Sequence, residues 1–303
     1  MMNLSPRHSQ NANVTRLPNG WRMDIPAGDA SAYRFAQLDD YSRLPRHRFP
    51  SHPPLMLRQA QHVALSLRAR TSANSIPGTW GFGMWNDPFG LSLGFGGNPF
   101  RLPALPNAIW FFHASEENWL SFAGVGRTGI PPYGHSSAGY HPAPQTDVLQ
   151  SNKTGQTRRS APTVPGNGFL AQAFRSPKIP SLVLASLGLI SLPIVLPILA
   201  TRRTRKWLRW LGGRFVRDEG VRLGVDQTQW HSYRLEWSPT RSAFWVDEAL
   251  VFESPVSPRP PLGVVIWIDN QFARFTPEGK IGFGVLKNEA AWLEVDEVVI
   301  RNA

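Results

Sequence analysis

Hydrophobic and polar positions alternate along most of the chain. Tyr33-Arg34-Phe35-Ala36-Gln37-Leu38 and His62 to Ala69 switch with a period of two, the mark of strands buried on one face. Four further short apolar runs follow: Gly78 to Trp85, Leu91 to Phe95, Ala108 to His113 and Asn118 to Phe122, separated by turn-forming residues. The clearest pattern comes late. Trp230 to Trp237 puts His231, Tyr233, Leu235 and Trp237 on one face, and Ala243–Val246 with Leu250–Phe252 predicts a hairpin around Asp247-Glu248. Leu262 to Ile268 is unbroken apolar sequence, which predicts a central strand buried on both sides. Ile281–Leu286 and Trp292–Ile300 end the series. Many short strands between turns predict an all-β protein, a two-sheet antiparallel jelly-roll sandwich.

Three stretches break this pattern. Residues 1–20 are polar and read as a loose N-terminal segment, and 141–168 reads as a polar linker. Residues 169–220 read as a hydrophobic-basic helical insert. The division is therefore 1–20, a first sandwich part at 21–140, the linker, the insert, and a second part of the same sandwich at 221–303. Within the insert, Ile179 to Thr201 carries no charge, and seven Lys or Arg residues then fall between Arg202 and Arg217 with Trp207 and Trp210 among them. An apolar run ending in cations and tryptophan is the grammar of a membrane segment. Its contact residues would be Leu182, Leu184, Leu187, Leu189, Ile190, Ile194, Leu196 and Ile198, then Arg202, Arg203, Arg205, Lys206, Trp207 and Trp210. The alternative is a hydrophobic helix packed on the domain. Strands on either side of the insert must share one side of any membrane if they share one core, so a single complete span is excluded. Pro193 and Pro197 fit a segment that bends back.

Charge and composition narrow the partners. The 303 residues carry 32 Lys plus Arg against 21 Asp plus Glu, a net charge of +11. Such a balance favours an anionic membrane surface, an acidic polymer or nucleic acid. Nucleic acid ranks last, because no zinc finger, RNA-binding signature or recognition helix organises the charge. Charged residues make up only 17% of the chain and hydrophobic ones 42%, which excludes an intrinsically disordered protein. There is no cysteine, so disulfides, thiolate metal sites and thiol nucleophiles are excluded. No apolar run of signal-peptide type opens the sequence, and the expectation is a cytoplasmic protein or one on the cytoplasmic face of a membrane. His113 and His231 each stand alone, as satisfied or surface histidines and not metal ligands. No cofactor motif occurs.

The segment WHSYRLEWSPTRSAFWVDEALVFES from Trp230 to Ser254, the buried VVIWI strand from Val264 to Ile268, the terminal WLEVDEVVIRN and the upstream Gly78-Thr79-Trp80 strand resemble, in order, the concanavalin A-like lectin/glucanase superfamily. The likeness is to the glycoside hydrolase family 16 type. Glu248-Ala249 departs from the glycine usual at that hairpin turn. The resemblance implies two antiparallel sheets, one bent into a sugar-binding groove. It also implies a catalytic strand with Glu-x-Asp-x-x-Glu or Glu-x-Asp-x-Glu spacing. The corresponding segment here, Leu105 to Glu117, has apolar residues where the acids belong. Glu294-x-Asp296-Glu297 imitates the spacing, but on the presumed closing strand.

A degenerate, carbohydrate- or glycolipid-binding member of that group is therefore the leading expectation. The alternatives are an active glycoside hydrolase acting on a polysaccharide, built from Asp87, Glu116, Glu117 and Asp269, and a structural or interaction module. Trp85, Trp110 and Trp267 offer flat faces for sugar rings, and Asn86, Asp87, Asp269 and Asn270 offer polar contacts. The competing explanations are core packing for the tryptophans and turn chemistry for the Asn-Asp corners. The sequence names neither a sugar nor an oligomeric state.

Overall fold

The computed structural model describes residues 4–40, 62–86, 105–121, 166–179 and 201–302. In chain order these residues form β1 (Ser5–His8), β2 (Asn13–Arg16), β3 (Gly20–Ile25), β4 (Phe35–Asp39), β5 (Val63–Thr71), β6 (Thr79–Trp85), β7 (Ala108–Ala114) and β8 (Gly168–Arg175). Helix α1 (Arg202–Phe215) comes next. After it run β9 (Arg217–Arg222), β10 (His231–Ser238), β11 (Arg241–Val246), β12 (Ala249–Ser254), β13 (Gly263–Asp269), β14 (Gln271–Phe275), β15 (Ile281–Val285) and β16 (Ala291–Asn302).

Two seven-stranded sheets pack face to face. The first has the order β1-β4-β13-β6-β7-β8-β9 and the second β12-β11-β10-β5-β16-β3-β2, while β14 and β15 form a separate hairpin. All strand pairs within them are antiparallel. The late strand β13 lies between the early strands β4 and β6, and the early strand β5 lies between β10 and β16. Neither half of the chain owns a sheet. This is the two-sheet sandwich expected from the alternation pattern.

The core between the sheets follows from period-two alternation. Met23, Leu65, Leu67, Trp80, Phe82, Phe111, Phe169, Tyr233, Leu235, Trp237, Phe244, Ile266, Leu293 and Val295 point inward and are buried. Aromatic rings join the layers edge to face: Phe111 meets Phe244 at 5.4 Å and Tyr233 at 5.0 Å between centroids. Offset and edge-to-face pairs of this kind add to the burial energy of the rings themselves. The Asp247-Glu248 hairpin forms as expected, with both residues at positive φ (48° and 67°). That two-residue left-handed turn matches the twist of its strands. Asp247 holds it by accepting from Ser232 N–H and pairing with His231 at 2.6 Å. His231 is thus a satisfied surface histidine. His113, by contrast, is buried in the core, its ring stacked on Trp80 at 5.7 Å.

Several expectations need correcting. Residues 5–8 and 13–16 are strands, not loose, because they sit near sheet edges where backbone pairing needs no apolar side chains. The insert is narrower than 169–220: Gly168–Arg175 and Arg217–Arg222 are strands of the first sheet, and the helix occupies Arg202–Phe215. Asn118 to Ser121 is not a strand but a crossing segment, tied by Trp119 N–H to Ala273 O and by Ala273 N–H to Asn118 Oδ1. Glu294 is not a solvated acid. It is buried on the outer face of the second sheet between Arg22 (3.1 Å) and Arg70 (2.7 Å), which flank it in register. Leu91–Phe95 lies outside the described residues, as does the linker up to residue 165. Among the described residues, no helix is long and apolar enough to cross a membrane.

Candidate functional site

The outer face of the first sheet carries the candidate site. Strand register places side chains there in rows. Phe35, Asp269, Thr79 and Ala114 form one row, and Gln37, Trp267, Gly81, Phe112, Leu170 and Arg222 form the next. Asp39, Val265, Gly83, Trp110, Gln172 and Gly220 make the third, and Trp85, Ala108, Phe174 and Asp218 the fourth. Gly81 and Gly83 form a floor over which large rings lie. A Cβ at Gly81 would come within 3.0 Å of the Trp267 ring, and one at Gly83 within 2.6 Å of Trp110 Cβ.

The three tryptophans singled out from the sequence do meet here. Trp85 and Trp267 are parallel at 6.3 Å, and Trp110 lies 5.5 Å from one and 5.7 Å from the other. Their exposure differs. Trp110 is 6% exposed and Trp267 9%, and both join Phe112, Leu170, Phe174 and Val216 in a second apolar cluster. Part of the face is roofed. Leu120 packs on this cluster, Ser121 Oγ donates to Asp218 Oδ2 at 2.6 Å, and Arg209 of α1 reaches Ser121 O at 2.6 Å. On the β1–β4 side Tyr33, Phe35 and Gln37 remain half-buried, as does Trp85 at the end of β6. A cleft of about 430 Å³ lined by Gln10, Asn11, Pro26, Ala27, Ala32, Tyr33 and Arg34 opens beside Tyr33.

Asp269 is the polar node. It accepts from Thr79 Oγ1 at 2.8 Å, from Gln271 N–H at 3.0 Å and from Tyr33 O–H at 3.3 Å, while Trp267 Nε1–H donates to Thr79 Oγ1 at 2.9 Å. Burial raises its carboxyl to about 7, against the pull of these hydrogen bonds. Burial first, and the Asp269 carboxylate second, raise the Tyr33 hydroxyl well above its usual value. The other nominated residues lie elsewhere. Glu116 and Glu117 are exposed in the turn after β7. Asn86 and Asn270 do structural work: Asn86 accepts from Asn107 N–H and donates to Leu105 O, and Asn270 bridges Arg34 N–H, Ala32 O and Leu286 O. Asp87 lies outside the described residues. So do Leu182, Leu184, Leu187, Leu189, Ile190, Ile194, Leu196 and Ile198. Tyr33, Phe35, Gln37 and Thr79 are new to the site. Their signal was present, since Tyr33, Phe35, Gln37 and Asp39 fall on one face by alternation.

Two buried groups give the fold opposite pH dependences. Burial lowers His113 from 6.5 to about 4, so between those values the unfolded chain binds more protons, and stability rises with pH. That contribution is complete above pH 6.5 and lost as pH falls through 4. Asp269 runs from 3.8 unfolded to about 7 folded. The folded state then holds the extra proton, and stability falls as pH rises through that window. Relative to wild type, Asp269→Asn should therefore gain stability from pH 4 to 7, and His113→Gln should lose it from pH 4 to 6.5. Each unit of difference corresponds to about 1.4 kcal/mol. Unfolding midpoints measured across this range check it; superimposable pH profiles for all three proteins would refute it.

No protein-family model matches the chain, and no curated protein matches it. Solved structures of similar shape include the binding domain of botulinum neurotoxin DC (5% identity, TM-score 0.38, covering 98% of this chain and 42% of that one). Another is a GlcNAcα1-4Gal-releasing endo-β-galactosidase from Clostridium perfringens (12%, 0.35, 94% and 53%). A third is a laminarinase from Flavobacterium sp. UMI-01 (9%, 0.31, 91% and 79%). The chain thus spans about two-fifths of the toxin domain's length and about half of the galactosidase's. These are remote likenesses in shape, and the fold assignment rests on the sheets themselves.

Proposed function

We propose that the protein is a β-sandwich that binds a carbohydrate or glycolipid at a membrane face and does not hydrolyse it. The observation that carries this reading is β7, whose outer-face positions are Ala108, Trp110, Phe112 and Ala114, all apolar and buried, with no carboxylate among them. Glycosidases need two carboxyl groups, about 5–5.5 Å apart for retention and about 6.5–9.5 Å for inversion. The described carboxylates of this face are Asp39, Asp218 and Asp269. Asp39 is opposite Val265, four residues along β13 from Asp269, roughly 13 Å at ~3.3 Å per residue. Asp218 lies on β9, four strands across from β13, roughly 19 Å at ~4.8 Å per strand. Each is also engaged, Asp39 with Arg7 and Gln37, Asp218 with Ser121, and Asp269 with Thr79.

What remains suits recognition. Trp85, Phe35 and Tyr33 offer partly open rings, and the half-buried Gln37 amide and Tyr33 hydroxyl offer hydrogen-bonding groups beside them. Wild-type protein should bind at least one member of a panel of β-glucans, galactans and glycolipid headgroups and release no reducing ends. Gln37→Ala should weaken that binding about tenfold, about 1.4 kcal/mol, with the unfolding midpoint little changed, whereas Trp85→Ala should weaken it and also lower the midpoint, because its ring packs on Trp110 and Trp267. One feature favours the hydrolase reading: Asp269 lies on the outer face of the sheet beside the half-buried Tyr33, and burial raises its carboxyl to about 7, in the range a general acid uses. Reducing ends released by wild type and lost in Asp269→Asn would establish that reading instead.

A further inference from the structure

Helix α1 is built the reverse of what its composition suggests. Arg205 and Arg209 face the protein: Arg205 Nε donates to Gly279 O at 2.8 Å, and Arg209 binds Phe275 O and Ser121 O. Near the helix start, Arg202 Nε reaches Glu278 O at 3.3 Å. The helix is thus clamped, by guanidinium groups on backbone carbonyls, to the β14–β15 hairpin and its tip. Tryptophan takes the outward side, where Trp207 and Trp210 are each 54% exposed. On the hairpin, Phe275 is paired with Ile281, and Phe283 follows two residues later on the same side. Phe283 is 60% exposed. Among the described residues, five of the seven exposed large hydrophobics (Trp207, Trp210, Phe215, Ile281 and Phe283) belong to these two joined elements.

We propose that the outer side of α1 and the Ile281–Phe283 side of the hairpin form one docking platform for an anionic lipid bilayer. This rests on the membrane reading given above and names its surface and its lipid. Charge complementarity selects the occupant. Arg203, Lys206 and Arg214 stand among the exposed rings, with Arg214 over Trp210 at 4.6 Å, and the first turn of the helix has no acid. Mixed cations and indoles on an interfacial helix match the headgroup–acyl boundary, where rings enter a few ångströms and ammonium or guanidinium groups meet phosphate. In sequence, the charge-free run that begins at Ile179 leads directly into α1 at Thr201. The hairpin is the unforeseen half: its sequence alone has no membrane signature, and only the arginine clamps bring it alongside the helix.

The test is flotation of the full chain with phosphatidylcholine vesicles, with and without phosphatidylserine. Wild type should bind the anionic vesicles and release as salt is raised. Ile281→Ser/Phe283→Ser should lose about tenfold in affinity, as should Trp207→Ser/Trp210→Ser, with unfolding midpoints close to wild type. Phe283→Trp should bind normally and be quenched by brominated lipid. Anionic-vesicle binding that is untouched in the hairpin variant, with no quenching of Phe283→Trp, would overturn the platform and leave the membrane reading standing. Failure of wild type to bind any vesicle would end both. Tighter binding to an RNA oligonucleotide than to vesicles, or a dimer that the hairpin variant dissociates, would assign the surface to another occupant and overturn the proposal.

Discussion

Trp237→Ala is expected to cost ~3–5 kcal/mol of folding stability, lowering the unfolding midpoint on the order of 10 °C. Trp237 is buried in β10 between Val63 of β5 and Ser242 of β11. It fills the core where an early strand meets two late ones. Its Nε1–H donates to Pro258 O at 3.0 Å, so truncation also removes the partner of a buried carbonyl. Trp237→Phe should recover most of the loss, because it restores volume but not the hydrogen bond. Thermal and urea unfolding of both variants checks this. A midpoint within 2–3 °C of wild type for the alanine variant would mean that the two parts of the chain do not share this core.

Arg209→Met should have the second large effect, ~3 kcal/mol or more, with separation of α1 from the domain. The guanidinium is buried, grips carbonyls of two separate segments (Ser121 and Phe275) and lies in the field of Asp218. Burial lowers its pKa and the carboxylate partly offsets that, so the group is held charged by its partners. Removing it leaves two carbonyls and the Asp218–Ser121 pair exposed to a poorer environment. Lysine should not restore the helix, because a single ammonium does not reproduce a planar fork serving two acceptors. Limited proteolysis should then cut near α1 in the Met and Lys variants first. Cleavage patterns identical to wild type would show that the helix is held by something other than this clamp.

How far the sequence led can be seen strand by strand. β10, β11, β13 and β16 were legible because alternation or continuous apolarity marks a strand between layers. β8 was hidden because Gly168–Arg175 runs almost directly into the apolar stretch that begins at Ile179, and the two merge into one hydrophobic block. β9, Arg-Asp-Glu-Gly-Val-Arg, was largely absorbed into the basic end of the helical insert; it is an edge strand, and edges carry charge to discourage further pairing. The tryptophan cluster was anticipated residue by residue. Asp269, its polar node, was also nominated, but its partners were not, because it meets Thr79 and Tyr33 from 190 and 236 positions away, a pairing no local pattern encodes. The orientation of α1 was hidden for the same reason: it depends on carbonyls of the 275–279 turn, and carbonyls leave no trace in side-chain pattern.

The most direct measurement is amide hydrogen exchange of the full-length protein, free and saturated with the best-bound glycan of the panel. Added protection should fall on Phe35–Asp39, Gly263–Asp269 and Thr79–Trp85, with the outer strands β11 and β12 unchanged. Protection confined to the outer face of the second sheet, where Arg22, Arg70 and Arg234 lie over Trp292, Trp230 and Trp245, or none on β4 and β13, would contradict the assignment of the ligand to the outer face of the first sheet.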